Sequence, residues 1–504
     1  MRPGVKGTEY SDRGGAGFGR VRRFFSPKPL PIAMLTKRRQ QNRSKGALIK
    51  GVLLETLMCR PNFRHFNVLI LAVFALIASL SAMADSHARI VRLSYIEGGV
   101  QISRGPGGTY EKAIVNLPIT EGAKLKTSDG RAEVEFEDGS TLRIVADTTI
   151  EFSQLSLSDS GAKVSEVKVT SGTAYVNFNG SKNDEFSISF EGKKIALDRA
   201  AHLRIILGDE DSSVAVFKGL VRVDGPSGTV EVKKNQTISF ELDSNQYQLA
   251  KNVEETPYDS WNDQQNEYHT RYAAKSYNNY SPYAYGTTDL SYYGNFFNAP
   301  GYGMMWQPYL AGVGWDPFMD GAWAFNSGFG FGWVSAYPWG WTPYHYGTWV
   351  FLPGYGWAWQ PGGLWHPWYS QPVVRNAPKS FVAPHAPASG TSTVVVNRGP
   401  ASTFVGNRLI VRNNSAGLGV PRGQFGNMAK VSHQAQERGV VSQRVPMQSV
   451  PMRSSEPRMG NAGARGGSSS RASQPMPRSA PMPRSTGMSV PSSHPSGGAP
   501  PPHR

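Results

Sequence analysis

The chain is poor in cysteine and in long apolar runs, and its middle is poor in positive charge. Cys59 is the only cysteine in 504 residues. It precedes the one sustained apolar run, Val68 to Leu80, so the chain beyond that run has no means to form a disulfide, a thiolate nucleophile or a cysteine metal site. A lipid-modified cysteine would have to follow the run, and none does. The run itself, residues 68–80, is shorter than the roughly 20 residues that cross a bilayer comfortably. Catalytic signatures are missing too. There is no His-Glu-x-x-His, no Gly-x-Ser-x-Gly, no phosphate-binding Gly-x-x-x-x-Gly-Lys and no dinucleotide fingerprint. Gly328-Phe329-Gly330-Phe331-Gly332 is rich in glycine but has the wrong spacing for a phosphate loop. No cofactor and no metal is expected.

The net charge of +16 is unevenly spread. Residues 1–84 hold 15 Lys/Arg against 3 Asp/Glu, residues 85–370 balance to −10, and residues 371–504 to +14. The basicity therefore sits in a leader and a tail. The leader ends in the short apolar run and Ala82-Met83-Ala84, with Asp85 next. A basic stretch, a short apolar stretch and small-x-small read as a secretory signal peptide cleaved before Asp85, which implies a periplasmic or secreted protein. Met34 and Met58 are alternative starts for this long leader. An uncleaved signal anchor is the competing reading, and only then would the chain associate with a membrane. In the tail, arginines stand singly among Pro and Ser, and Arg465-Gly466-Gly467 is a lone copy of an RNA-binding repeat. No nucleic-acid partner is expected.

Residues 88–250 read as an all-β domain of short strands, a sandwich or β-solenoid-like arrangement. Alternation in Ala132-Glu133-Val134-Glu135-Phe136 puts Val134 and Phe136 on one face and Glu133, Glu135 and Glu137 on the other. Gly98-Gly99, Asp129-Gly130, Asp138-Gly139, Ser171-Gly172 and Asp224-Gly225 supply turn signals. From Ala132 to Phe152 a strand, an Asp138-Gly139-Ser140 turn, a second strand through Leu142 and Ile144, and a link Val145-Ala146-Asp147-Thr148-Thr149 into Ile150-Glu151-Phe152 follow in order. This resembles the core motif of FecR-type domains. Leu93 to Ile102, Leu125-Lys126-Thr127 and Ser171-Gly172-Thr173-Ala174-Tyr175-Val176 fit the flanking strands, so the resemblance covers about residues 90–225. It implies a periplasmic sensor passing a receptor signal to an anti-sigma region. The first 66 residues lack a helical anti-sigma domain, however, and the chain is more similar to secreted proteins in which a FecR-like domain precedes an aromatic Trp/Gly/Pro-rich region of unknown function (DUF6600-like).

All twelve tryptophans lie between Trp261 and Trp368. Trp315 to Phe325 returns as Trp341 to Phe351, Trp333 returns as Trp359, and Gly301-Tyr302-Gly303 is echoed by Gly354-Tyr355-Gly356. A fixed offset marks one supersecondary unit copied. Residues 301–370 thus read as a small aromatic β-repeat domain, a meander or barrel. Residues 251–300 read as a polar Tyr/Asn-rich transition with a short helix near Tyr258 to Tyr268. Residues 371–504 read as a disordered basic tail rich in Pro, Ser, Gly and Arg, with Thr393–Val396 and Leu409–Val411 as strands that would pack on the aromatic domain.

Trp323, Trp333, Trp349 and Trp359 are expected inside. Trp315, Trp341, Tyr344 and Tyr346 fall in turn-like Gly-Trp-x-Pro surroundings and are the candidate ligand-binding rings, since flat rings stack on sugars and other planar groups. His269, His345 and His366 lack metal-ligand spacing. The expectation is a non-enzymatic envelope protein that binds envelope protein or glycan. Two alternatives remain: a membrane-anchored regulator of sigma-factor signalling, and a glycan-active enzyme using Asp316 and Asp320, although the repeat puts Thr342 and Tyr346 at the matching positions.

Overall fold

The computed structural model describes residues 89–445 except 106, 182, 242–245, 274–278, 370, 398 and 400. The expected signal peptide, Cys59 and the far tail lie outside the described residues. The chain is mainly β, as the alternating patterns require.

Two sheets share one long strand. The first runs in the order β4 (Pro118–Ile119), β1 (Val91–Glu97), β6 (Arg131–Glu135), β7 (Thr141–Ile144), β9 (Lys163–Phe178), β12 (Ala201–Leu207), β13 (Asp211–Lys218), β16 (Gln236–Glu241) and β17 (Tyr247–Ala250). The second runs β3 (Glu111–Lys112), β2 (Val100–Ser103), β5 (Lys124–Thr127), β8 (Thr149–Leu157), β9, β10 (Glu185–Phe190), β11 (Lys193–Leu197), β14 (Leu220–Gly225) and β15 (Gly228–Lys233). The first part of β9 pairs with β8 and β10, and the remainder with β7 and β12. The change of sheet falls at Gly172, at φ +82°, where a Cβ would lie 2.5 Å from the Asp147 carbonyl oxygen. Ser171-Gly172 is therefore a pivot inside a strand and not the turn expected. Aliphatic side chains of both sheets, among them Val134, Leu142, Ile205, Ile150, Val167 and Ile188, form one buried core.

The Asp-Gly-Ser turn has a local cause. Ser140 donates from its N–H and hydroxyl to the Asp138 carboxylate (2.9 and 2.7 Å), the Phe136 N–H donates to the Ser140 carbonyl (2.9 Å), and Gly139 takes φ +80°. This closes the β6–β7 hairpin and fixes its register. Val134 and Phe136 point into the core as alternation requires. Glu133, Glu135 and Glu137 point the other way, but that face is not wet: all three are buried. The chain beyond residue 250 covers it. The segment 251–300 is accordingly more than a polar transition. It contains α1 (Asp259–Tyr272) and α2 (Thr287–Tyr293), and both make side-chain bonds to the sheet.

The aromatic repeat is three β-hairpins: β18 (Gly294–Ala299) with β19 (Gly303–Pro308), β20 (Gly321–Asn326) with β21 (Gly330–Ser335), and β22 (Thr348–Leu352) with β23 (Gly356–Gln360). The same device closes each. A glycine at the entry, Gly294, Gly321 or Gly347, lies against the indole of Trp306, Trp333 or Trp359 on the returning strand, and a Cβ there would come within 2.3 to 2.4 Å of the ring. Two residues further on, Phe296, Trp323 and Trp349 stand directly opposite these tryptophans in the ladder. The hairpins do not form a single meander. With β24 (Val374–Arg375) and β25 (Val394–Val395) they make two separate sheets, β18-β19-β23-β22-β24 and β21-β20-β25. A short helix, α3 (Thr342–His345), stands between the second and third hairpins.

Part of the expected disordered tail, residues 371–504, is folded. β26 (Thr403–Val405), β27 (Arg408–Arg412) and β28 (Val440–Arg444) form a small sheet, joined by α4 (Met428–Arg438). Leu409, Val411, Phe425, Met428 and Val431 are buried in the same cluster as Trp306 and Trp339. Average composition misled here, because a few apolar residues at helix and strand spacing are enough once an aromatic surface is there to receive them.

The hairpin device gives a test. Gly321→Ala has no positive φ to blame, so its effect reads the close approach to the Trp333 indole and the Val334 carbonyl oxygen. It should destabilise the protein by about 1–3 kcal/mol, as overpacking does. Gly328→Ala, whose Cβ would meet nothing nearer than 3.4 Å, should stay within about 0.5 kcal/mol. Chemical denaturation of the two variants decides.

Candidate functional site

Three of the four rings expected at a surface are in the aromatic core. Trp315, Trp341 and Tyr344 are at most 5 % exposed, and only Tyr346 is half-buried. The Gly-Trp-x-Pro segments turn their rings inward. Trp315 packs beside Trp339, whose ring stacks on Tyr337 with centroids 5.0 Å apart and planes 6° from parallel, while Trp341 packs separately, against His345 and Trp365. The Trp315 Nε1–H donates to the Tyr337 hydroxyl (2.9 Å), and Trp341 meets Tyr285 edge to face. Tyr344 donates its hydroxyl to the Pro317 carbonyl. The Tyr346 carbonyl accepts from the Trp359 indole (2.7 Å). Trp315, Trp341 and Tyr344 offer no open face for stacking, and Tyr346 alone keeps part of its surface exposed. Trp323, Trp333, Trp349 and Trp359 are buried as well.

Asp316 and Asp320 serve the same core. Asp320 is buried and accepts from the Tyr337 hydroxyl (3.0 Å) and from the Gly399 N–H. Asp316 accepts from the Phe318 N–H (2.8 Å), and burial, with Asp320 nearby, raises its pKa. The histidines do not converge. His345 is held between its hydrogen bond to the His366 carbonyl (2.7 Å) and a stacked Trp365, and burial lowers its pKa to about 4. His269 instead meets Glu133 (3.0 Å). Among the described residues no three His, Cys, Asp or Glu side chains are grouped to hold a metal ion.

The functional geometry lies where the sequence pointed least. Arg422, from the expected tail, reaches the outer face of the first sheet with its side chain 3 % exposed. Its Nη1 meets Glu133 of β6 (2.6 Å) and its Nη2 meets Asp289 of α2 (2.9 Å). Arg143 of β7 takes the other Glu133 oxygen (2.7 Å). Arg92 of β1 bridges Glu135 (2.9 Å) and Asp289 (2.7 Å). Three carboxylates thus face three guanidinium groups out of water, and Arg204 with Asp259 (2.5 Å) ties α1 to β12 nearby. Burial pushes the Glu133 pKa up, but His269, Arg143 and Arg422 outweigh it and hold the group well below the usual carboxylate range. Asp289 is also raised by burial and, on balance, lowered by Arg422 and Arg92. Three glutamates on one strand face demand counter-charges wherever that face is buried. That was the signal in the sequence, although it does not name the arginines.

Beside Arg422 opens a groove of about 830 Å³. The end of β1 contributes Tyr95 and Glu97, α1 contributes Trp261 and Gln265, and the C-terminal segment contributes Phe404 and Arg422. Both charged walls are already paired. Glu97 accepts from Arg131 (2.6 Å) and from the Tyr95 hydroxyl, and Arg422 is committed to the network. A cleft of this size is typical of small-ligand sites, which run from about 300 to 1,000 Å³.

The network makes a signed prediction. Arg422→Met leaves two carboxylates facing each other without their shared partner, and the variant should lose about 3–5 kcal/mol at pH 7. Carboxylates whose folded pKa is depressed stabilise the fold above their unfolded pKa of about 4, and that contribution is lost as pH falls through the folded value. The parent should therefore lose stability at acid pH, and the deficit of the variant should shrink. Denaturant unfolding at pH 7 and pH 3 measures both; an equal deficit at the two values would contradict the assignment.

Residues 123–222 match the family described as FecR protein, and residues 287–387 match a family of unknown function, DUF6600. No curated protein matches the chain. Two crystal structures of a protein provisionally described as an anti-sigma factor, from Parabacteroides distasonis ATCC 8503, are similar in part. One is 17% identical over 26% of this chain and 59% of its own, with a TM-score of 0.23. The other is 18% identical over 27% and 63%, with a TM-score of 0.24. The chain spans about six tenths of the length of these proteins, an overlap too slight to bear on fold or role. The Asp-Gly-Ser hairpin and the Gly–Trp hairpins fall inside the two matched segments, and the chain carries a FecR domain followed by a DUF6600 domain.

Proposed function

We propose that this is an exported, non-enzymatic protein of the bacterial envelope that binds envelope protein or glycan, with residues 89–445 as its scaffold. The observation that carries the reading is the groove beside Arg422. It lies where the FecR domain, α1 and the C-terminal segment meet, and its charged walls are already paired. The carboxylates of the aromatic region are engaged in holding loops, which favours binding over catalysis. Export rests on the leader, and no helix among the described residues is long and apolar enough to cross a membrane.

A FecR-type regulatory role is the second reading, favoured by the FecR match. It needs residues 1–66 on the cytoplasmic side and therefore an intact Val68–Leu80 segment.

Two measurements on the native protein separate these. Mass spectrometry of the chain from its own envelope fraction should give an N-terminus at Asp85, and a start upstream of Val68 favours regulation. The immobilised mature chain should retain a defined envelope component that the free protein competes away. Inert behaviour against envelope extracts would remove the binding reading.

A further inference from the structure

The groove can be read one level further, on the basis of the binding role just proposed. Trp261 and Gln265 both line it and stand one turn apart on the same face of α1. The Nε1–H of Trp261 and the Oε1 of Gln265 are buried and have no hydrogen-bond partner among the described residues. One is an orphan donor and the other an orphan acceptor. A buried group left without its hydrogen bond is costly, so a donor and an acceptor together on one groove wall call for an explanation. Neither atom touches solvent in the empty groove, and neither has a bond to lose when its side chain turns toward a ligand.

The complement of one donor and one acceptor, with no charge, is a secondary amide. The rest of the lining narrows the choice. Phe404, at the rim, is 53 % exposed as a residue, and its flat apolar ring is a group on which a sugar can stack. Asn407 and Gln424 add carboxamides suited to hydroxyl groups. The pairing of Glu97 with Arg131 and of Arg422 with Glu133 and Asp289 leaves no free charge for an anionic polymer. An extended peptide also carries amides, but it needs a long strand to pair with, and the edge strand β26 is only Thr403–Val405.

We propose that the groove binds a neutral glycan bearing N-acetylamino groups. Trp261 and Gln265 meet the carbonyl and the N–H of one acetamido group, and Phe404 stacks on a neighbouring sugar ring.

The test uses the whole mature protein, with the N-acetylglucosamine tetramer chitotetraose as probe and cellotetraose, the same rings without acetamido groups, as control. In titration calorimetry chitotetraose should bind and cellotetraose should be about tenfold weaker. Gln265→Met should erase that preference while melting no lower than the parent, because it removes an unsatisfied acceptor. Phe404→Ala, at an exposed position, should weaken chitotetraose about fivefold without changing the melt. No binding of chitotetraose, equal binding of the two sugars, or unchanged affinity in both variants would overturn the assignment. So would displacement of the retained envelope component by a neutral peptide and not by chitotetraose. If the envelope extract still yields a specific partner while chitotetraose fails, the glycan assignment falls and the wider binding role stands; if both fail, both fall.

Discussion

The burial of Glu133, Glu135 and Asp289 against Arg92, Arg143 and Arg422 is the constraint around which the rest is arranged. Taking a carboxylate out of water costs several kcal/mol and is offset only by well-placed partners. Those partners come from strands β1 and β7 and from a segment nearly three hundred residues further along the chain. The face of the first sheet cannot be closed by the FecR domain alone. The two domains differ in core chemistry, one aliphatic and the other aromatic, and beside apolar contacts such as Ala324 and Val334 on the aliphatic core, what joins them is polar and directional. A greasy contact would tolerate sliding; forked guanidinium pairs fix one register.

The aromatic core has its own accounting. The indole N–H groups of Trp306, Trp315, Trp339 and Trp359 find oxygen acceptors. Those of Trp323, Trp333, Trp341 and Trp349 find none among the described residues. Edge-to-face packing such as Trp323 on Trp333, with centroids 5.3 Å apart, puts the positive ring edge over a negative face and recovers part of that cost. The same arrangement makes the tryptophans a packing solution for a region with few aliphatic side chains, which is why their abundance did not signal a binding surface.

What was legible in the sequence was local. Asp138-Gly139-Ser140 fixes its own hairpin through bonds within five residues, and the alternation around Val134 correctly sorted the two faces of β6. The identity of what covers Glu133 was not legible, because Arg422 sits in a stretch whose average composition resembles an unfolded tail. Ser171-Gly172 read as a turn because a glycine at positive φ gives the same signal inside a pivoting strand. The Gly and Pro neighbours of Trp315 and Trp341 suggest an outside position, a local cue overruled by the rings around Trp339 for the one and by Tyr285, His345 and Trp365 for the other. Gln265 carries no motif, and Trp261 only the Trp261-Asn262-Asp263 stretch that the resembling secreted proteins share; the unmet hydrogen bonds of the folded state single out the pair.

The choice of charge for the buried face has a consequence during synthesis. Between the appearance of Glu137 and that of Arg422 lie 285 residues, which take roughly 15 to 60 seconds to make at about 5–20 residues per second. Throughout that interval the unfinished domain presents a polar face, with Glu133, Glu135 and Glu137 beside Arg143, Arg92 and Arg89, where the completed one presents a sealed joint. An apolar face waiting as long would invite neighbouring copies to stick. A charged and hydrated one keeps them apart until Arg422 arrives to close the joint.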